Sequence, residues 1–330
     1  MKIRNRRSII IIVVYVIFNT FIIVNAFRQE RLEQSQAIAP GVMAPEYTEV
    51  QNLNYFHLKQ GVPQLSLQAQ SMRSQGEEKA EFVKPQGIYK QFQKNQALDY
   101  QANAGIYSKD KALLIMNGDV KLKTSESKYE ASKVKYYFNK DLLFGTGGVK
   151  FDSIDLKTKD HLQINAESMK AYPQNQFAIF KGGVQGSIER KKKYEGRMTF
   201  SSQQLQVEGL KSHVQLEGDV QMKRDSFLIT AGKGDLFLEN YNKSLKYFVF
   251  NDDVKVSEKM AASSGPIDRK AFAERLEGFG VDGRMVLSGA PRVEQGKDIV
   301  KGYRITIREN MEFIEVDDAM SDMQIKKTKD

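Results

Sequence analysis

From about residue 98 the chain runs in short stretches of alternating apolar and polar residues, and one stretch recurs in register. Leu114, Met116, Gly118, Val120 and Leu122 alternate with polar or small residues. The spacing returns at Leu143, Gly145, Gly147, Val149 and Phe151, at Ala178, Phe180, Gly182, Val184 and Gly186, and at Val214, Leu216, Gly218, Val220 and Met222. Phe248, Phe250, Asp252, Val254 and Val256 keep the frame with aspartate in the glycine slot. Met285, Leu287 and Gly289 open a sixth copy, which bends at Pro291 before Val293. The anchors 118, 147, 182, 218, 252 and 289 are separated by 29, 35, 36, 34 and 37 residues. Alternation at period two makes each run a strand with one apolar face, and recurrence at such a spacing marks stacked supersecondary units. A mid-strand glycine marks a bulge, a bend or a close backbone approach. Here it falls on the apolar face each time, which predicts that each strand folds over at that point.

Further strands lie between the anchors and are predicted to start near alanines: Ala131, Ala166, Ala231 and Ala273. The turns are polar, as at Ser108-Lys109-Asp110, Asn139-Lys140-Asp141, Pro173-Gln174-Asn175 and Asn242-Lys243-Ser244, and suit an antiparallel meander. Lys270–Gly278 has good helix propensity, but its place in the repeat makes it a strand. A hairpin of this kind cannot bury its apolar face alone, whereas stacked copies share one interior. The expectation is an all-β protein, a β-solenoid or an open, folded-over antiparallel sheet, of roughly 14 strands stacked over roughly 35 Å. Periodicity does not distinguish a closed core from an open groove.

The first residues are of another kind. Ser8 to Phe27 is a run of 20 residues without a charge. As a helix it spans roughly 30 Å, the thickness of a hydrocarbon core. Lys2, Arg4, Arg6 and Arg7 precede it, whereas Arg28, Glu30, Arg31 and Glu33 after it cancel. The positive-inside rule keeps the N-terminus in the cytoplasm and exports the rest. The rival reading is a cleaved signal peptide, for which Val24-Asn25-Ala26 offers a processing site; the long apolar run favours the anchor. The expected organisation is a basic cytoplasmic tail (1–7), a single transmembrane helix (8–27), a linker containing Pro40-Gly41 and Pro45 (28–50), and two β modules (51–190 and 191–330), continuous with each other.

Composition narrows the chemistry. The chain has 330 residues, no cysteine, no tryptophan and three histidines, His57, His161 and His213. Disulfides, thiolate metal sites and cysteine nucleophiles are therefore absent, and no histidine has a partner at metal-ligand spacing. An apolar fraction of 41% is too rich for a disordered chain. Of the net charge of +9, the four leading cations account for four, and the surplus left is too mild to argue for nucleic acid. Gly278-Phe279-Gly280-Val281-Asp282-Gly283 fits GxGxxG, but a strand at Arg284–Leu287 follows it where a dinucleotide site needs a helix. Arg190-Lys191-Lys192-Lys193 is a dense basic run that reads first as a solvated loop, with contact to anionic head groups as the alternative. Glu126, Asp219 and Asp253 read as turn or solvent-face residues. With no nucleophile elbow and no phosphate loop, the chain is not expected to be an enzyme, and no cofactor or metal is implied.

An N-terminal anchor followed by Glu126-Ser127-Lys128-Tyr129-Glu130-Ala131-Ser132, Gly147-Gly148-Val149 and Asn165-Ala166-Glu167-Ser168-Met169 resembles the LptC family of lipopolysaccharide-export proteins. Val214–Met222, Leu287-Ser288-Gly289-Ala290-Pro291-Arg292-Val293 and Gly302-Tyr303-Arg304-Ile305 are similar to the related OstA/LptA domain. The resemblance implies an open β-jellyroll whose concave face carries lipid A acyl chains. The groove would be lined by the apolar members of the six runs, from Leu114 and Met116 to Leu287 and Val293. It also implies lipopolysaccharide as cargo, an inner-membrane ABC transporter as donor, and an LptA-type bridge protein or outer-membrane translocon as acceptor. The protein would then sit in the inner membrane with its bulk in the periplasm. The chain is longer than an LptC ectodomain, consistent with a fusion of an LptC-like and an LptA-like jellyroll. The alternative is a membrane-anchored scaffold with a closed β core and protein or cell-wall partners.

Overall fold

The computed structural model describes residues 47–322 apart from 60–61, 76–77, 93–95, 156–158, 190–196, 225–226, 240–243, 263–264, 280–282, 309–313 and 319. The predicted tail (1–7), transmembrane segment (8–27) and most of the linker lie outside these residues. No helix among the described residues is long and apolar enough to cross a membrane. Regular structure there consists of strands and three single-turn 3-10 segments.

The chain divides into two compact units. The first runs to Phe151 and includes Tyr172–Gln174; the second holds Asp152–Ala171 and Asn175 onward. In the first unit lie β1 (Tyr47–Lys59), β2 (Val62–Gln75), β3 (Lys79–Val83), β4 (Gln86–Phe92), β5 (Gln96–Gln101), β6 (Ala104–Ser108), β7 (Leu113–Lys123), β8 (Ser127–Tyr137) and most of β9 (Leu142–Ile154). The second holds β10 (His161–Tyr172), β11 (Phe177–Glu189), β12 (Met198–Glu208), β13 (His213–Arg224), β14 (Phe227–Glu239), β15 (Ser244–Ala262), β16 (Gly265–Phe279), β17 (Arg284–Ser288), β18 (Arg292–Gln295), β19 (Asp298–Lys301), β20 (Arg304–Arg308), β21 (Ile314–Asp317) and β22 (Met320–Asp322). Successive passes pair antiparallel, as the polar turns predict. The result is all-β and consistent with a β-jellyroll. Lys270–Gly278 lies within β16, a strand as expected. Five passes break in two partway along, at β3–β4, β5–β6, β17–β18, β19–β20 and β21–β22, so the 22 strands make 17 passes rather than the 14 expected.

What bends each anchor pass is a pair of consecutive residues with left-handed backbone. At the fourth anchor they are Gly218 (φ 75°) and Asp219 (φ 49°), and each of the other five anchors carries such a pair. One extra residue is inserted there, so that Glu217 and Val220 on β13 face Lys233 and Ala231 on β14. An inserted residue kinks its strand and raises the local twist, and here the kink turns one half of the pass over the other. The expectation that the anchor glycines lie on the apolar face is corrected: they stand at the outside of the bend, and none of the six anchor residues is buried.

The intervening passes bend at the same level without the glycine pair. Their inward face slips by one residue, so that Ala131 and Val134, Ala166 and Met169, Ala231 and Gly234, and Ala273 and Leu276 are buried three apart. The alanines are therefore mid-strand residues at the inside of the bend, not strand starts. The residue after each alanine faces the anchor of the next pass. A Cβ added at Gly147 would stand 2.7 Å from Ser132 Cβ, and one at Gly289 would stand 2.6 Å from Glu274 Cβ. At the fifth anchor the arrangement is reversed: Asp252 occupies the glycine slot, and the residue facing it is Gly232, where an added Cβ would lie 2.8 Å from Asp252 Cβ. Each corner has room for one side chain of the facing pair, and glycine takes the other place.

A second group of glycines is inward and seats aromatic rings. Gly186 pairs with Phe200, Gly234 with Phe250 and Gly278 with Phe248, and each ring covers its glycine closely enough to exclude a Cβ. The outer face carries a separate row across four strands, where His213 stacks on Phe237, and Tyr247 and Phe279 follow with tilted rings, at centroid distances of 4.8, 5.8 and 5.2 Å. Cross-strand contacts of this kind contribute roughly 0.2–1 kcal/mol each and hold register.

The corner rule has a direct test. Gly232→Ala is expected to destabilise the protein by about 1–3 kcal/mol through overpacking against Asp252, read by urea unfolding. Gly232→Ala combined with Asp252→Gly is expected to recover most of that loss, because the second change removes both the opposing Cβ and a non-glycine residue in left-handed backbone. Additive losses in the double variant would reject the rule.

Candidate functional site

The apolar residues predicted from the six runs come together on the inner face of each unit. In the first unit Met116, Val120, Leu122 and Val149 are buried, and Leu114, Leu143 and Phe151 are half-buried. In the second, Phe180, Val184, Leu216, Val220, Met222, Phe248, Phe250, Val254, Val256, Met285, Leu287 and Val293 are buried, and Val214 is half-buried. The inner layer also contains residues the alternating pattern did not mark, from the passes between anchors: Leu205, Ile229 and Leu276, with Ile305 and Ile307 beyond the sixth run. The three-residue spacing of buried positions would have found two of them, Leu276 after Ala273 and Leu205 after Ser202. Inner residues at mid-pass are closely packed, with Val220 1% and Phe250 0% exposed.

Two features interrupt this apolar lining. The first is an ion pair between Glu258 on β15 and Arg269 on β16, with both side chains 1% exposed. Arg269 Nε donates to Glu258 Oε2 at 3.1 Å and Nη2 donates to the same oxygen. Nη2 also donates to the backbone oxygen of Arg308 at 2.9 Å. Arg269 sits in the half of β16 that pairs with β18, whereas Arg308 ends β20, which pairs with β17. The guanidinium thus ties together the two walls made by folding the sheet. Gln295 lies opposite Arg269 on β18, and its Oε1 is buried with no hydrogen-bond partner among the described residues. Sequence reasoning missed this group because Glu258 and Arg269 sit among other charges, and nothing local marks them as inward.

The second feature is Tyr129 in the first unit. Its hydroxyl is buried without a hydrogen-bond partner among the described residues, and burial raises its pKa. It lies over Gly145, where a Cβ would overlap it. An unpaired hydroxyl in an apolar interior is a net cost, because its water contacts are lost without replacement.

Titratable groups on the outer face are engaged in pairs. His161 Nε2 lies 2.7 Å from Asp152 Oδ1, and His213 Nε2 lies 2.8 Å from Asp235 Oδ1. No group of acidic residues and histidines among the described residues is placed to hold a metal ion. Gly278 and Phe279 end β16, and β17 follows as a strand, so the GxGxxG segment lacks the helix that a dinucleotide site requires. The basic run Arg190–Lys193 lies outside the described residues.

Two family models match the chain, and solved structures are similar to part of it. A model described as lipopolysaccharide-assembly, LptC-related matches residues 9–189. One described as LptA/(LptD N-terminal domain) LPS transport protein matches residues 199–313. No curated protein matches the chain. The crystal structure of LptH, the LptA homologous periplasmic component of the conserved lipopolysaccharide transport device from Pseudomonas aeruginosa, is similar over 39% of this chain and 95% of its own. Its identity is 14% and its TM-score 0.35, a likeness that carries no argument.

Three variants test the polar features. Arg269→Ala is expected to cost about 3–5 kcal/mol by leaving the Glu258 carboxylate buried and unpaired. Glu258→Leu with Arg269→Met is expected to be near neutral, since an apolar pair of similar volume avoids desolvating two charges. Tyr129→Phe is expected to raise the stability of the lipid-free protein by about 1 kcal/mol, seen as a higher midpoint in thermal unfolding.

Proposed function

The chain belongs to the LptC-related family of lipopolysaccharide-assembly proteins, and from that premise we propose that its folded sheet carries the acyl chains of lipopolysaccharide from an inner-membrane ABC transporter to the next protein of the bridge. It is a non-enzymatic transport component of the envelope, and its inner face supplies surface rather than chemistry. The observation that carries the reading is the apolar inner layer within each unit, repeated pass after pass. An acyl chain in water costs about 0.8 kcal/mol per methylene, and an apolar lining removes most of that cost without any covalent step.

The proposed arrangement places residues 8–27 across the inner membrane, with the tail 1–7 in the cytoplasm and the β modules in the periplasm. Residues 51–190 act as the LptC-like module and 191–330 as the OstA/LptA-like module. The neighbouring ranges of the two family matches support this division. The strand edge near residues 51–70 meets the transporter. The edge near Tyr303–Val316 meets an LptA-type bridge protein or an outer-membrane translocon by strand addition. The proposed lining is the set of inward residues from Leu114 to Val293 named above.

Close packing at mid-pass favours a second reading, in which the interior is a closed core and the protein is an anchored scaffold. The two readings differ over a half-buried inward position near a strand end. In living cells, a photo-crosslinking amino acid at Val214 is expected to capture lipopolysaccharide, and one at its outward neighbour Gln215 is expected not to. Lipid captured at neither site, with the protein folded, would leave the scaffold as the better account.

A further inference from the structure

Outside the apolar interior, the second unit has a pocket of about 390 Å³ on the outer face of β10–β13. Two cross-strand rows form it: Gln185, Ser201 and Gln221 in one, Ser187, Thr199 and Lys223 in the next. The hollow has a simple origin. The middle strand, β12, carries the short side chains Ser201 and Thr199, and its neighbours β11 and β13 carry the longer Gln185, Gln221 and Lys223. Gln163 and Asn165 on β10 form a further wall, with Gln163 Nε2 donating to Asp152 Oδ2 at 3.1 Å. Arg197 reaches the second row and donates from Nη2 to Ser187 Oγ at 3.1 Å.

The lining has a definite chemistry. Beside Gly186, Phe200 and Leu228, four carboxamides and three hydroxyls offer both donors and acceptors at the spacing of adjacent strands, which matches a polyol with its apolar ring faces. Two cations, Arg197 and Lys223, join them, and among the described residues no carboxylate lines the pocket. Cations without competing carboxylates favour an anionic substituent. An apolar occupant would leave these polar groups without partners, and a bare anion would leave the amides unused. We propose that this outer pocket binds a phosphorylated saccharide, the hydrophilic part of the glycolipid whose acyl chains the inner face carries. The identity of the glycolipid rests on the lipopolysaccharide reading above; the saccharide chemistry rests on the pocket itself.

The test uses the full-length protein and the phosphorylated oligosaccharide obtained by removing all acyl chains from lipopolysaccharide. Binding is followed by isothermal titration. Ser201→Trp, which fills the pocket from the outer face, is expected to weaken binding at least tenfold. Gln185→Ala with Gln221→Ala, which removes hydrogen bonds without adding bulk, is expected to weaken it severalfold. Removing the phosphates from the oligosaccharide is expected to lower affinity in the wild-type protein and to have less effect in Lys223→Ala. The proposal is overturned if Ser201→Trp and the double glutamine variant both bind normally, or if inorganic phosphate binds as tightly as the oligosaccharide. Tighter binding of a soluble cell-wall glycan fragment overturns it as well. Crosslinking at Val214 keeps the two readings separate. Lipid captured there without oligosaccharide binding rejects the pocket alone. Oligosaccharide bound in a Ser201-dependent way without lipid capture supports the pocket and rejects the lipid groove.

Discussion

Folding a β pass over on itself uses, at the anchor of every second pass, backbone conformations that ordinary residues adopt only at a cost, and the architecture follows from meeting that requirement. Two consecutive left-handed residues and one inserted residue turn the pass. Because successive passes hydrogen-bond to one another, each bend must stand beside the last. The facing side chains then compete for one small volume, and a glycine on one side or the other settles the competition. Within each unit the apolar interior exists because the bends align: two walls, each apolar on its inner face, are brought together.

Much of this was legible in the chain. The alternating runs gave the strands, their recurrence gave the stack, and the glycine at 118, 147, 182, 218 and 289 gave the fold-over. The passes between anchors were harder to read. Their inward face shifts by one residue at the bend, so a search for strict alternation loses them after Ala131 or Ala166 and finds them again out of phase. The same shift made the alanines look like strand starts. The ring-covered glycines Gly186, Gly234 and Gly278 have no local signal, because the ring that fills each space comes from the neighbouring strand.

The inner polar group was illegible for a different reason. Glu258 and Arg269 are eleven positions apart in a stretch crowded with charge, and only the pairing of β15 with β16 places Glu258 opposite Arg269. Their partner Arg308 is 39 positions further on and contributes a backbone oxygen, which has no sequence signature at all. Burying such a pair yields little net stability compared with an apolar pair. Its effect is geometric: it fixes the separation of the two walls at one point, whereas elsewhere they meet through side chains that can slide.

The reversal at Gly232 and Asp252 bears on how such proteins diversify. A corner is a property of two adjacent passes, so the unit of exchange between related chains is the contact and not the pass. A recombinant joined between β14 and β15 inherits one half of a corner from each parent. Where the parents place the glycine on opposite sides, one product carries two side chains in a space for one and the reciprocal product carries none. Joints placed between Asp252 and Glu274, after one corner is closed and before the next begins, keep each corner's partners together. Repeats of this kind can therefore lengthen by duplication more readily than by shuffling single strands.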